Sequence, residues 1–120
     1  MAGIERPATQ IASVALLAAS LFLWPASAHA APVRTGGAAC ALAKSRVAAH
    51  LHRSRSSIPG CETIDAAYSP RGFYVLALRG WCREEVCGST LIGWFAVEKR
   101  NGRLFEWDVA ELRLGRPIGR

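Results

Sequence analysis

Residues 91–110, L-I-G-W-F-A-V-E-K-R-N-G-R-L-F-E-W-D-V-A, decide the fold because they read as two strands joined by a turn. Asn101-Gly102 lies in the middle of the stretch, and Asn-Gly is the strongest short-range signal for a β-hairpin. Residues 91–99 are mostly apolar, whereas apolar and acidic residues alternate over residues 104–110. The first strand is therefore expected to be central in a sheet, and the second to be exposed on one face.

Two further strands are predicted upstream of this hairpin. Residues 73–81 are apolar at both odd and even positions, as in a central strand. Residues 61–68 form a further candidate strand, and Ser-Pro-Arg-Gly at residues 69–72 provides the turn between the two.

A helix is predicted over residues 38–53, which are rich in alanine and contain no proline or glycine. A narrow apolar stripe at helical spacing is formed by Cys40, Ala43, Val47 and Leu51. The stripe must cover the apolar face of the sheet, since neither layer buries itself alone. The predicted fold is α+β: one N-terminal helix packed on a four-stranded antiparallel β-meander, stapled by disulfides.

The N-terminus reads as a secretory signal peptide over residues 1–30. Arg6 precedes an apolar run over residues 11–24, and Ala28-His29-Ala30 fits a signal-peptidase site. The alternative is a membrane anchor, but the run is shorter than the roughly 20 residues of a spanning helix. Cleavage leaves residues 31–120 as a single small α+β domain without a transmembrane segment, in the periplasm or secreted.

Four cysteines in an exported chain of this size indicate a disulfide framework. They are Cys40, Cys61, Cys82 and Cys87. Three pairings are open; closure of a short loop across a hairpin favours Cys82 with Cys87, which leaves Cys40 with Cys61. The alternatives are a zinc site, which lacks a C-x-x-C pair, and a redox-active dithiol.

The formal net charge of +6 points to an anionic partner or to solubility alone. Basic residues concentrate in residues 44–55 and in the tail at residues 113–120. The expected partner is an unknown protein or an envelope polyanion, and no specific nucleic acid is expected as a partner.

Catalysis finds little support in the sequence. His50 and His52 lie on the basic end of the predicted helix, without a local nucleophile or orienting acid. No phosphate-binding glycine loop, nucleophile elbow or H-E-x-x-H motif occurs. We therefore expect no enzymatic activity, no cofactor and no metal.

Two groups of residues are candidate recognition elements. The first is the loop between Cys82 and Cys87, whose residues are Arg83, Glu84, Glu85 and Val86. A bridged loop is ordered before it binds and loses less entropy on binding; alternatively, the bridge only secures the hairpin. The second is an aromatic face built from one tryptophan on each of three successive strands, unless these side chains pack in the core. These tryptophans are Trp81, Trp94 and Trp107.

Two resemblances accompany these motifs. Residues 91–111 resemble the C-terminal hairpin of small uncharacterised exported proteins of proteobacteria, which implies fold and location only. The C-x4-C loop is loosely similar to that of periplasmic inhibitors of vertebrate-type lysozyme, in which a cysteine-closed loop enters the enzyme's cleft. That loop carries a histidine and an aspartate, which residues 83–86 lack. The sequence thus predicts an exported, non-enzymatic binding or accessory protein, with an enzyme inhibitor acting through this loop as the alternative.

Overall fold

The structure is a computed structural model that describes residues 31–119. The predicted signal peptide, residues 1–30, lies outside the described residues. The elements are the helix α1 (Gly36–His50), short 3-10 turns at Arg55–Ser57 and Ala66–Tyr68, and the strands β1 (Gly60–Thr63), β2 (Phe73–Arg79), β3 (Leu91–Glu98), β4 (Leu104–Asp108) and β5 (Arg113–Ile118). No helix in the described part of the chain has the length and apolar character needed to cross a bilayer.

The strands form one antiparallel sheet in the order β1-β2-β3-β4-β5. The α+β class and the meander are confirmed, but the predicted count of four strands is wrong. The fifth strand is β5, which lies in the segment interpreted from sequence as a basic tail. It pairs with β4, with Pro117 opposite Phe105. Because β5 is an edge strand, its proline and glycine are tolerated there.

The ends of α1 are set by capping. The Thr35 hydroxyl accepts a hydrogen bond from the Ala38 amide at 3.0 Å. At the other end, His52 has a left-handed φ of 56°, and the Arg53 amide donates to the Ala48 carbonyl at 2.8 Å. This is a Schellman-type cap, so the helix stops at His50 rather than at residue 53 as predicted.

The main core lies between α1 and the sheet. The helix buries four small side chains, Ala39, Ala43, Val47 and Ala48. They belong to one cluster with buried sheet residues, among them Leu76, Leu78, Phe95, Val97 and Leu104. The predicted stripe is correct at its centre, whereas Leu51 at its end is 38% exposed, because the helix has ended before it.

The hairpin between β3 and β4 forms as predicted, with a turn longer than the Asn-Gly pair. Only Gly102 in this turn has a positive φ, 73°. Its amide donates to the Glu98 carbonyl at 2.8 Å, and the Asn101 side chain accepts from the Arg103 amide at 3.0 Å. A Cβ at Gly102 would lie 3.1 Å from Leu42, so the turn packs closely against α1.

Both disulfides form in the predicted pairs. Cys40 on α1 is bonded to Cys61 on β1, with 5.9 Å between their Cα atoms. Cys82 is bonded to Cys87, with 5.7 Å between their Cα atoms. The first bridge ties the helix to the sheet, and the second closes the loop between β2 and β3.

Candidate functional site

The bridged loop, residues 81–89, stands out from the domain. Every residue of this segment is exposed, and Val86 is 81% exposed. The strands on either side contain fully buried stretches, residues 75–78 in β2 and 95–97 in β3. The loop therefore projects from a rigid part of the sheet while contributing nothing to the core.

Three of the four residues inside the loop carry charge. They are Arg83, Glu84 and Glu85. Within residues 31–119, no oppositely charged group lies within 4.0 Å of any of these three side chains. Their charges are available to a partner, and the disulfide limits the conformations that the loop must give up on binding.

Trp81 belongs to this loop rather than to a strand. β2 ends at Arg79, so the expectation of one tryptophan on each of three strands is wrong for Trp81. The register between β2 and β3 shifts after Leu78, which ends regular pairing before Trp81. The residue is 62% exposed, and its Nε1 donates to the Ser56 carbonyl at 2.9 Å. That hydrogen bond ties the base of the loop to the turn after α1.

The other two tryptophans lie on the sheet face opposite the helix. Trp107 is buried in a small cluster with Val75 and Ala96, and Trp94 packs against that cluster. Phe73 and Phe105 meet edge to face on the same side, 6.1 Å apart. This face is a second, minor core, and Trp81 is not part of it.

A cleft of about 670 Å³ opens at the base of the loop. Its walls are the segment after α1, the base of the bridged loop and the start of β3. The lining residues are Arg53, Ser54, Ser57, Gly80, Trp81, Arg83, Ser89, Thr90, Leu91 and Ile92. Ile92 also packs against the main core, which gives the cleft a fixed wall. Among the described residues that line it are two arginines and no carboxylate.

The two histidines considered for catalysis do not line the cleft. His50 and His52 are both exposed at the end of α1. Glu84 and Glu85 are exposed on the bridged loop and do not line the cleft. In the described part of the chain, no three His, Cys, Asp or Glu side chains are grouped so as to hold a metal ion.

Comparison of the chain with protein-family models, with curated proteins and with solved structures finds no match.

The two disulfides fit a chain that folds in an oxidising compartment outside the cytoplasm.

Sequence reasoning identified the bridged loop but missed the cleft. Its lining comes from three segments, 53–57, 80–83 and 89–92, of which only 80–83 overlaps a motif recognised in the sequence, the C-x4-C loop. Arg53 in particular reads as one more residue of a basic helix. Only the tertiary fold brings it into the same cleft as Arg83.

Proposed function

We propose that this protein is an exported binding protein without enzymatic activity, which acts in the bacterial periplasm. Its recognition surface is the bridged loop together with the cleft at its base. The predicted signal peptide and the two disulfides support export.

One observation carries the binding role. The whole segment 81–89 is exposed while a disulfide holds it closed. A protein of this size has a thin core, so nine exposed positions without core contacts contribute little to folding. Rigidity at an exposed loop benefits recognition, because little conformational entropy is lost when a partner binds.

The two histidines give no support to a catalytic role. General acid–base chemistry requires an imidazole within hydrogen-bond reach of a reacting group or nucleophile. Among the described residues, neither His50 nor His52 forms a side-chain hydrogen bond; His50 is the last residue of α1, His52 follows the helix, and both are exposed.

Site-specific photo-crosslinking tests the proposal. A photoreactive phenylalanine analogue at Val86 of the full-length chain, produced in its own host, should give cross-linked adducts. The same analogue at Ala110, which is exposed in the turn between β4 and β5, should give none. In the triple variant R83A/E84A/E85A the adducts from position 86 should disappear. Equal labelling from both positions, or labelling that survives the triple variant, would show that the loop does not bind a partner and that its bridge only secures the hairpin.

The second candidate function is inhibition of a lysozyme-type enzyme. The exposed, closed loop with Glu84 and Glu85 favours it, because acidic side chains complement an enzyme whose overall charge is strongly positive. The net charge of +6 opposes it, since two basic proteins repel each other. Titration of purified lysozymes with the full-length chain separates the two functions. Inhibition abolished by E84A/E85A would favour the inhibitor, and unchanged enzyme rates would exclude it for those enzymes.

A further inference from the structure

We propose that the cleft beneath the bridged loop binds an acidic saccharide, through its two arginines and the exposed face of Trp81. This inference rests on the proposed binding function and names the class of ligand. The cleft volume of about 670 Å³ lies within the range of roughly 300–1,000 Å³ typical of ligand pockets.

Trp81 supplies a fixed aromatic platform. Trp81 as a whole is 62% exposed, yet the hydrogen bond from its Nε1 to the Ser56 carbonyl restrains the ring. The face of an indole carries negative potential, and the C–H bonds on one side of a sugar ring carry partial positive charge. An exposed, restrained indole beside a cleft therefore suits stacking against a sugar ring.

The positive charges of Arg53 and Arg83 select for an acidic ligand. These arginines come from two separate segments of the cleft lining, the segment after α1 and the bridged loop. Within residues 31–119, neither guanidinium has a carboxylate within 4.0 Å. Each presents a planar fork of donors that matches the geometry of a carboxylate or a phosphate.

The hydroxyl groups in the cleft match a sugar better than a simple anion. The Ser57 hydroxyl donates to the Ser54 carbonyl at 2.7 Å and keeps its lone pairs for a donor. The Ser89 hydroxyl accepts from the Leu91 amide at 3.2 Å and keeps its proton for an acceptor. A ligand whose hydroxyls both donate and accept fits this arrangement.

A single aromatic ring argues against a single-stranded nucleic acid as the ligand. Such sites stack successive bases on several aromatic side chains along a basic groove. Of the described residues that line the cleft, Trp81 is the only aromatic one. An oligonucleotide therefore serves as a probe whose tight binding would overturn the inference.

Isothermal titration calorimetry at near-physiological ionic strength tests the proposal with the full-length chain. The probes are a galacturonate tetrasaccharide, a sulfated tetrasaccharide, neutral maltotetraose, a glutamate tetrapeptide with blocked ends, and oligothymidylate. Binding of one or both acidic saccharides is expected, at least about tenfold tighter than each of the other three probes. The two acidic arms identify whether carboxylate or sulfate supplies the charge.

Variants assign the binding to the cleft. Arg53→Ala and Arg83→Ala should each weaken binding about tenfold or more, as expected for loss of a hydrogen bond to a charged group. Trp81→Ala should have a similar effect, whereas Trp81→Phe retains an aromatic face and should lose about threefold. The matched control R71A/R113A removes two exposed arginines outside the cleft and should change affinity less than about twofold.

Equal losses in R53A/R83A and in the control R71A/R113A would mean that the net charge attracts the saccharide, and would overturn the inference. Tighter binding of oligothymidylate or of the glutamate peptide would also overturn it. If neither acidic saccharide binds while Val86 still cross-links a partner, the ligand class is wrong and the proposed function stands. If both experiments fail, both proposals are wrong.

Discussion

The two disulfides of this protein have similar Cα separations, 5.9 Å and 5.7 Å, but lie in opposite surroundings. Cys40 and Cys61 are half-buried and pack against the main core, where they join the helix to the first strand. Cys82 and Cys87 are exposed and close a loop that has no part in either core cluster. The first bridge holds two layers together, whereas the second fixes the shape of a surface.

This difference changes what each bridge contributes to stability. The residues joined are 21 apart in the first case and 5 apart in the second. Loop-closure entropy alone gives about 3 kcal/mol for the longer loop and about 2 kcal/mol for the shorter one. That estimate assumes a native state unchanged by reduction. The exposed loop regains freedom in the native state as well, so its contribution to the free energy of unfolding falls below about 2 kcal/mol.

The largest expected effect separates the two bridges. C40A/C61A should lower the free energy of unfolding by about 3 kcal/mol, and C82A/C87A by less than about 2 kcal/mol. Urea denaturation followed by tryptophan fluorescence measures both. Partner adducts from position 86 should fall in C82A/C87A and persist in C40A/C61A under conditions where the latter is folded. A larger stability loss in C82A/C87A would show that the loop supports the fold.

Two glycines, one in the turn between β3 and β4 and one in the bridged loop, give a second contrast between the packed part of the domain and the exposed loop. Gly102 has a φ of 73°, and a Cβ there would lie 3.1 Å from Leu42, whereas a Cβ at Gly88 would meet nothing within 4 Å. Gly102→Ala should therefore cost about 1–2 kcal/mol, through left-handed backbone strain and crowding. Gly88→Ala should change stability by less than about 0.5 kcal/mol.

Thermal unfolding of the two variants measures this contrast, with Gly88→Ala as the matched control. Similar melting temperatures for both would mean that the turn at Gly102 adjusts to a side chain. The contact with α1 would then not fix the conformation of this turn, and the expected contrast with the bridged loop would be absent.

The sequence predicted the parts of the fold that depend on local pattern. The hairpin signal at Asn101-Gly102, the helix and the two disulfide pairs are all present. The missed strand β5 reads R-L-G-R-P-I, and glycine and proline are depleted in strands. It forms because β4 provides a partner: a Cβ on Gly115 would lie 3.3 Å from the Glu106 carbonyl oxygen, so glycine allows the close approach.

The candidate site was only half predicted for a similar physical reason. Two cysteines five positions apart mark the bridged loop in the sequence itself. The cleft depends on where Arg53 lies after the helix ends, and that is set by the left-handed conformation of His52. Without glycine or asparagine at that position, the sequence gives no standard signal for a helix cap.

The smallest expected effect concerns the C-terminal cap of α1 at His52, which directly precedes the cleft residue Arg53. His52 has a φ of 56°, which costs an L-residue roughly 1 kcal/mol and costs glycine almost nothing. His52→Gly should therefore stabilise the protein by about 0.5–1 kcal/mol. The matched control His50→Gly replaces the last helical residue, also exposed, and should destabilise by a similar amount, because glycine disfavours the helix. For a domain of this size, these changes correspond to melting-temperature shifts of about 2–8 °C in opposite directions. Loss of stability in both variants would mean that the His52 side chain contributes more to the cap than its backbone strain costs.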